Sequence, residues 1–327
     1  MNPFQYQRAR DESSAAQAIG PRAKFLAGGT NLIDLMKNGV EHPETLIDIN
    51  RLALAAIEPL PDGGLRLGAL ARNSDTANHP LVRQQYPLLS QAILSGASPQ
   101  LRNLATNGGN LLQRTRCPYF MEPAFPQCNK RAPGSGCGAI GGFNRMHAIF
   151  GASEQCIAVH PSDMAVALAA LDAVIHVRAK AGPREIPIAD FHRLPGDTPS
   201  IDTNLKADEL ILSIHLPPSP FAAHSSYVKV RDRASYEFAL VSVAAALQIE
   251  GGVIRSARLA LGGVAHKPWR AQAAEQSLVG QRPAPATFEA AGKQAVTGAK
   301  TYSQNAYKVE LASRAVARAL SIAGGVA

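Results

Sequence analysis

Hydrophobic and polar positions near the N-terminus follow the periods of short strands and helices. A strand is expected around Phe4 to Arg8, and a helix from about Glu12 to Ile19 with Ser13 or Ser14 as its N-cap. The segment 24–49 then predicts a strand, a glycine turn, a helix and a second strand, which together form a small βαβ-like unit. Its helix is capped by a polar residue after the turn and is expected to end near Asn38-Gly39.

The rest of the chain alternates strands and helices around one long segment without a period. Residues 114–147 are rich in Pro, Gly, Arg and Cys, so we expect an irregular loop, which at this length is unusual unless something organises it. A glycine turn at 107–110 precedes this segment, and regular structure is expected to resume at 157–159. Strands are predicted at 64–70, 173–179, 209–216, 226–230 and 254–261, and helices from 74 toward 86, at 88–94, 100–104 and 164–171, after Pro268, and at about 304–323 with Ser303 as cap.

The last predicted helix carries an apolar stripe of only moderate quality. Arg318 interrupts it. The stripe comprises Tyr307, Leu311, Ala315, Arg318 and Ile322.

Length and composition add that the chain is globular and has room for two or three domains. It has 327 residues, of which 46% are hydrophobic and 18% charged. No stretch approaches the ~20 apolar residues that span a bilayer. The proline-rich segment 217–220 is the expected boundary before a C-terminal domain.

The charge balance favours anionic ligands or partners. Lysine and arginine exceed the acidic residues and give a net charge of +8, but the basic residues are scattered. Aromatic residues make up only 6%, and no nucleic-acid motif accompanies the charge, so nucleic acid is not expected as a partner. The N-terminal residues have no secretory pattern, so we expect no export signal on this chain.

The cysteines are confined to one stretch of 40 residues, 117–156. Without an export signal, such a group favours metal binding over disulfides, although two disulfides stay open if a partner carries the chain out of the cytoplasm. The spacing C-x10-C-x8-C-x18-C lacks the close pairs of zinc sites, whereas iron–sulfur clusters accept looser spacing. The flanking basic residues could offset the charge of four thiolates or form a solvated loop; they are Arg114, Arg116, Lys130 and Arg131.

Two polar glycine turns are candidate phosphate sites. Residues 27–31 read Ala-Gly-Gly-Thr-Asn at a strand-to-helix turn, and residues 105–110 read Ala-Thr-Asn-Gly-Gly-Asn. Backbone amides can approach a phosphate at such turns, so the pair could hold one elongated anion such as a pyrophosphate-bearing cofactor. Two unrelated turns are the alternative, since neither matches a dinucleotide or nucleotide-binding fingerprint.

Single polar residues admit two interpretations each. Asp163 either belongs to an ordinary helix cap or accepts a hydrogen bond from a ligand hydroxyl. Lys229 is either a surface strand lysine or a positive group that stabilises a reduced flavin. The nine histidines have no metal-site spacing, His160 is expected to be structural, and no Ser-His-Asp or Cys-His arrangement is legible.

Five segments follow one another along the chain: KFLAGGTNL, QLRNLATNGGNL, HPSDM, ELILSI and YVKVRDR. Taken in this order, they resemble the FAD-binding medium subunit of the xanthine dehydrogenase family of molybdenum hydroxylases, over essentially the full chain. The cysteine segment contains QRTRCPYF and CNKR-x-PGSGC. It is similar to that of the flavin subunits of periplasmic molybdenum aldehyde oxidoreductases, whose hallmark is an extra [4Fe-4S] cluster.

The resemblance implies an α+β fold with a two-lobed FAD-binding domain and a small α+β C-terminal domain like that of carbon monoxide dehydrogenase flavoproteins. We expect the FAD-binding domain at 1–220, with lobes at about 1–55 and 56–220, a cysteine-rich insertion at 113–157, and the last domain at 221–327. The insertion explains the 52 residues between Asn110 and Asp163. Asn107 departs from the small or apolar residue usual in relatives.

The resemblance also implies the site residues. The four cluster ligands would be Cys117, Cys128, Cys137 and Cys156. Residues expected to contact FAD are Lys24, Phe25, Leu26, Ala27, Gly28, Gly29, Thr30, Asn31 and Leu32 in the first loop, Thr106, Gly108, Gly109 and Asn110 in the second, and Asp163, Ile211 and Lys229 beyond the insertion. Tyr236 and Phe238 are candidates for the face of the isoalloxazine.

By this resemblance the chain is an electron-transfer subunit and carries no catalytic residue for aldehyde oxidation. A large subunit would hold the molybdenum cofactor, and a small subunit two [2Fe-2S] clusters from which electrons reach FAD and then a small-molecule acceptor. A heterotrimer is expected, without membrane insertion. The compartment would be periplasmic if a partner carries a twin-arginine signal, and otherwise cytoplasmic.

Other classes stay open at this point. The chain could be a stand-alone FAD reductase with a zinc-stabilised loop, the flavin subunit of a xanthine or carbon monoxide dehydrogenase-like complex, or a non-enzymatic assembly module. The extra cluster could relay electrons or only organise the insertion.

Overall fold

The computed structural model describes residues 1–326 and contains three β-sheets with helices packed against them. The strands are β1 Gln5–Arg8, β2 Ala23–Leu26, β3 Thr45–Asp48, β4 Ile57–Pro59, β5 Leu65–Gly68, β6 Val174–Ala179, β7 Gly182–Pro187, β8 Leu210–Leu216, β9 Ser225–Val230, β10 Val241–Glu250, β11 Val253–Gly262 and β12 Trp269–Arg270. The helices are α1 Glu12–Ala18, α2 Leu32–Lys37, α3 Asn73–Asn78, α4 Pro80–Gln85, α5 Pro87–Ser95, α6 Pro99–Arg102, α7 Asn107–Leu111, α8 Pro118–Met121, α9 Gly138–Gly141, α10 Asp163–Ala170, α11 Ile188–Phe191, α12 Gln272–Leu278, α13 Pro285–Ala295 and α14 Tyr307–Ala323.

The first sheet is the βαβ unit that the sequence predicts. Its order is β1-β3-β2, and both pairings of β3 are parallel. The turn between β2 and α2 lies at one end of this sheet, and α2 ends before Gly39, whose φ is +69°. The first glycine loop is therefore held between a parallel strand and a short helix.

The second sheet is antiparallel and has the order β4-β5-β8-β6-β7. Helix α10 packs against α5 and the third sheet, and all eight of its residues are buried, so it forms the centre of the largest apolar core. Its N-cap is Ser162, whose hydroxyl accepts from the amide of Ala165. This cap fixes the position of Asp163 at the first turn of α10.

The third sheet has the order β12-β11-β10-β9; α12 and α14 pack on it, and α13 packs against those two helices. The buried face of α14 differs from the predicted stripe, since Ile322 is 42% exposed. The buried residues of α14 are Lys308, Ala312, Ala315, Val316, Ala319, Leu320 and Ala323. The small alanine side chains let the helix lie close to its neighbours. A stripe defined by large apolar side chains does not reveal such a face.

The cysteine insertion has more local order than the sequence indicates. Two four-residue helices, α8 and α9, interrupt the expected irregular loop. The glycine turn at 107–110 is the start of α7, with Thr106 as N-cap, and residues 157–159 form no strand. Strands β4 and β7 and helices α11 and α13 are present where no element is predicted, and β12 lies where the helix after Pro268 is expected to begin.

The other differences between prediction and structure lie at the N-terminal ends of helices. The N-cap of α1 is Asp11, which forms a capping box with Ser14, so Ser14 lies inside the helix. The predicted helix from 74 toward 86 is divided into α3 and α4 because Pro80 begins a new helix. The last helix begins at Tyr307, three residues later than predicted. No helix among residues 1–326 is long and apolar enough to cross a membrane.

Candidate functional site

The two glycine loops line one cleft of about 480 Å³, called here the glycine cleft. The cleft lies between the first sheet and the second, and its walls include Asp202 and Leu210. Twelve of the sixteen residues expected to contact FAD line it: Lys24, Phe25, Ala27, Gly28, Gly29, Thr30, Asn31, Leu32, Thr106, Gly108, Gly109 and Ile211. The two loops that the sequence predicts to face one ligand thus line the same cleft.

Glycine is required where the two loops touch. A Cβ on Gly28 would overlap the carbonyl group of Leu104. Gly29 has a φ of +71°, which side-chain-bearing residues rarely adopt. Gly108 packs against Ala69, where a Cβ would lie 3.3 Å from the alanine methyl. These close approaches bring backbone from both loops to the wall of the glycine cleft.

The donors of the cleft suit an anionic cofactor. The side chain of Asn31 accepts from the amide of Arg114 at 3.1 Å, while its Nδ2 is buried without a partner among residues 1–326. An amide donor without a partner at the start of a helix suits a phosphate oxygen. The residues present therefore fit the pyrophosphate-bearing cofactor that the sequence predicts.

A second cavity of about 300 Å³, called here the inner pocket, lies beyond the glycine loops. Asp163 and Cys117 both line it, together with His147, His160 and Phe238. The ring of Phe238 lies 5.3 Å from the guanidinium carbon of Arg116. The predicted acidic cofactor contact and one predicted cluster ligand therefore share a cavity.

Asp163 is the centre of a buried polar network. Its carboxylate accepts from Tyr227 Oη at 2.7 Å and from Lys229 Nζ at 2.8 Å. The Lys229 side chain is 4% exposed and also donates to the carbonyl of Ser95. Burial, together with the neighbouring carboxylate, raises the pKa of Tyr227 well above its usual value. Lys229 lines neither cavity, and its ammonium group bonds to Asp163, which lines the inner pocket.

Leu26 and Asn110 also lie outside the walls of both cavities. The side chain of Asn110 donates to Asn73 at 2.7 Å and accepts from Ser162 at 2.6 Å, so it ties the second loop to the cap of α10. Asn107, the residue that departs from the family pattern, is fully buried and bonds to the side chains of Asn73 and Thr76. The side-chain amide of Asn107 therefore supports the second loop, and no sequence motif around Asn107 signals this role.

The structure brings the four cysteines together as free thiols. Cys117 lies within electrostatic range of Cys128 and Cys137, and Cys137 forms a hydrogen bond with Cys156. A β-bridge also joins Cys128 to Cys137. Residues far apart in the sequence thus become neighbours.

Backbone amides point at the sulfur atoms because two cysteines are helix caps. Cys117 precedes α8, and the amides of Tyr119 and Phe120 face its sulfur. Cys137 precedes α9, and the amides of Ala139 and Ile140 face its sulfur. These amides lie at helix starts, where they have no partner within the helix.

The pKa values of the thiols diverge. Burial raises the pKa of Cys117 to about 12, although the two amides act in the opposite direction. The hydrogen bond from Cys156 lowers the pKa of Cys137 to about 6, and the same bond together with burial raises the pKa of Cys156. Within residues 1–326, no group of three or more His, Cys, Asp or Glu side chains is placed to hold a metal ion.

One histidine directly contacts the sulfur of one of the four cysteines. His147 Nε2 lies 3.2 Å from Cys117 Sγ, and the histidine is 2% exposed. Burial and the nearby Lys308 lower the pKa of His147 to about 4. The sequence gives no signal for this contact because the two residues are separated by 30 positions and belong to no spaced motif.

An ionic network fastens the insertion beside the glycine cleft. Arg114 bonds Glu41 at 2.6 Å and Asp202 at 2.7 Å, and the buried Lys130 also pairs with Asp202. The two cations lower the pKa of Asp202 to about 2 despite its burial. The basic residues of the insertion are thus partly structural, and sequence reasoning missed their acidic partners because those lie in other segments.

Family comparisons agree with this arrangement. Residues 2–219 match the family model for the FAD binding domain in molybdopterin dehydrogenase, and residues 226–323 match the CO dehydrogenase flavoprotein C-terminal domain. The two matches define a flavoprotein subunit of two consecutive domains. The chain belongs to the molybdopterin dehydrogenase FAD-binding family, and it is the flavin subunit of an oxidoreductase complex of the molybdenum hydroxylase type.

Individual relatives extend the comparison. The chain is 52% identical over 329 residues to the aldehyde oxidoreductase FAD-binding subunit PaoB of Escherichia coli strain K12, covering 98% of each chain. It is 30% identical over 281 residues to the glyceraldehyde dehydrogenase medium chain of Sulfolobus acidocaldarius, covering 85% of this chain and 82% of the relative.

A solved structure shares the architecture over nearly the whole chain. Carbon monoxide dehydrogenase from Hydrogenophaga pseudoflava superposes with a TM-score of 0.76 at 26% identity, covering 99% of this chain and 98% of the other. The α+β flavoprotein fold that the sequence resemblance implies is therefore confirmed.

Proposed function

We propose that this chain is the FAD- and [4Fe-4S]-binding electron-transfer subunit of a molybdenum-dependent aldehyde oxidoreductase. The observation that carries the proposal is the inner pocket, whose wall contains both Asp163 and Cys117. A flavin contact and a thiol of the cysteine group thus lie at one cavity, which suits short-range electron transfer. The 52% identity to an aldehyde oxidoreductase subunit favours an aldehyde as the substrate of the complex.

The FAD site would consist of the glycine cleft and the inner pocket. In this proposal the loops at 24–32 and 106–110 hold the pyrophosphate, Ile211 gives an apolar contact, and Asp163 with Lys229 behind it faces the more polar part of the cofactor. Bound FAD would accept single electrons and deliver electron pairs. The chain's own contribution is to bind, orient and shield the cofactor.

The cluster site would consist of Cys117, Cys128, Cys137 and Cys156. Four thiolates hold a [4Fe-4S] cluster, each on its own iron atom, so the sulfurs need not converge on one point as the ligands of a single ion must. The amides that face the sulfurs support this assignment because hydrogen bonds to sulfur stabilise the anionic cluster. The domain division at 1–220 and 221–327, with the insertion at 113–157, belongs to the same proposal.

The partners would be a large molybdenum-cofactor subunit and a small subunit with two [2Fe-2S] clusters. Electrons would pass from the small subunit to FAD on this chain and then to a small-molecule acceptor. The complex would be periplasmic if a partner carries a twin-arginine signal.

Cofactor analysis of the anaerobically purified complex tests the proposal. Because the partner contributes its own iron, iron and acid-labile sulfide are measured in the complex and in a version whose four cysteines are replaced by serine. Native complex should exceed the variant by about four iron and four sulfide atoms per chain and contain about one FAD. Equal iron in the two preparations, or zinc without extra sulfide, would refute the cluster and favour a zinc-stabilised loop.

A further inference from the structure

The contact between His147 and Cys117 has a consequence for the proposed cluster, and the inference rests on the proposed function. His147 Nε2 lies 3.2 Å from Cys117 Sγ, within hydrogen-bonding range of a sulfur acceptor. Cys117 also lines the inner pocket that contains Asp163. The histidine therefore contacts the sulfur of the cysteine group that faces the proposed flavin.

The backbone of His147 is held in place by buried hydrogen bonds. The amide of His147 donates to the carbonyl of Asn144 at 3.0 Å, and the carbonyl of His147 accepts from Lys308 Nζ at 3.0 Å and from Asn305 Nδ2 at 3.3 Å. Lys308 and Asn305 are each fully buried. Because both main-chain polar groups of this residue are bonded to buried partners, the backbone position from which the ring reaches the sulfur is fixed.

The direction of the hydrogen bond follows from its acceptor. A thiolate bound to iron has no proton and can only accept, so Nε2 must carry the hydrogen. The other ring nitrogen, Nδ1, is buried without a partner among residues 1–326, so no protein acceptor there competes for the proton. The ring therefore donates to Cys117 in its Nε2–H form, and a protonated ring would donate in the same way.

We propose that His147 sets the reduction potential of the [4Fe-4S] cluster by donating an Nε2–H···Sγ hydrogen bond to Cys117. Such a bond withdraws electron density from the sulfur and stabilises the reduced cluster, which carries one more negative charge. His147 is a positioning residue, since its effect on the cluster acts through the sulfur of Cys117. Its effect is to raise the reduction potential of the cluster and so to make the cluster a better electron acceptor.

Three substitutions separate this effect from general packing. His147→Phe keeps a ring near Tyr119, whose centroid lies 6.5 Å away, but removes the donor. His147→Gln restores an amide N–H at about the reach of Nε2. His266→Phe is the matched control, because His266 is buried in the same region and neither of its ring nitrogens has a partner among residues 1–326.

The measurement is a redox titration of the holo-complex followed by low-temperature electron paramagnetic resonance. His147→Phe should lower the midpoint potential of the [4Fe-4S] signal, His147→Gln should return it most of the way to the native value, and His266→Phe should leave it in place. The [2Fe-2S] signals of the partner subunit serve as internal standards and should not move. If the Phe variant does not assemble, His147→Leu makes the same comparison with a smaller side chain.

The contradicting results are distinct from failure of the proposed function. An unchanged [4Fe-4S] potential in a loaded His147→Phe or His147→Leu complex would overturn the inference and leave the cluster assignment intact. An equal shift in His266→Phe would assign the effect to general polarity and also overturn it. Native complex without any [4Fe-4S] signal would refute the proposed function, and the inference with it.

Discussion

Gly28 shows how one missing side chain permits the contact between the two glycine loops. The carbonyl of Leu104 occupies the space that a Cβ at this position would need. Gly28→Ala should push the loops apart, at a cost of about 1–3 kcal/mol in folding free energy, and reduce the bound FAD by tenfold or more at limiting cofactor. The FAD absorbance per protein and a thermal unfolding curve measure both effects.

Gly141→Ala is the control for this prediction, since a Cβ there meets open space and the residue lies outside both cavities. It should keep its FAD. Full FAD occupancy in Gly28→Ala would show that the close approach of the loops does not shape the cofactor site.

The Lys229–Asp163 pair is the other prediction at the scale of single residues. Both side chains are nearly inaccessible, with 4% and 8% exposure. Lys229→Met leaves a buried carboxylate with Tyr227 as its remaining side-chain donor, so the free energy of unfolding should fall by about 3–5 kcal/mol. Urea denaturation measures it, with the exposed Lys180→Met as the control. A loss no larger than that of the control would mean that solvent reaches Asp163.

At the scale of elements, the insertion is fixed to the rest of the protein by short helices and ion pairs. Asp202, in the segment between α11 and β8, bonds to both Lys130 and Arg114 of the insertion. Because these cations lower the pKa of Asp202 to about 2, the ionised carboxylate stabilises the fold at any pH above its unfolded value, near 4. That contribution is lost as the pH falls toward 2.

Asp202→Asn tests this linkage. The variant should be less stable than the native chain by about 1–2 kcal/mol or more at pH values above about 5, and the gap should close between about pH 4 and pH 2. Urea unfolding at a series of pH values measures the gap, with the exposed Asp197→Asn as control. A gap that stays constant down to about pH 2 would contradict the assigned role of Asp202.

Sequence periods predict most of the regular elements but miss the contacts that cross between them. The βαβ unit at 24–49 is predictable because its glycine turn, cap and apolar strands are local signals. Helix α14 is predicted with the wrong face, since alanines and the buried Lys308 form its inner side. The cysteine group is predictable by its confinement to 117–156, whereas the His147 contact joins residues 30 positions apart and has no local signal.

At the scale of the whole molecule, the cysteine-rich insertion forms hydrogen bonds with three separate segments of the chain. Arg116 bonds Asp34 beside the first sheet, Lys130 donates to the carbonyl of Pro199, and Asn144 bonds Ser303 ahead of α14. One of the four cysteines of the insertion, Cys117, also lines the inner pocket. Under the proposed function, this placement would let a cluster held by the cysteines exchange electrons with a flavin on the same chain.

The reduction of flavin by aldehyde in the intact complex tests this electron path most directly. Rapid mixing of anaerobic complex with substrate, followed at the flavin absorbance, compares the native protein with Cys128→Ser. If the thiol group holds a relay cluster, the variant should fold, bind FAD and assemble, but its flavin should be reduced at least tenfold more slowly. Unaltered flavin reduction in a folded variant without the cluster would contradict the relay role and leave the four cysteines a purely structural one.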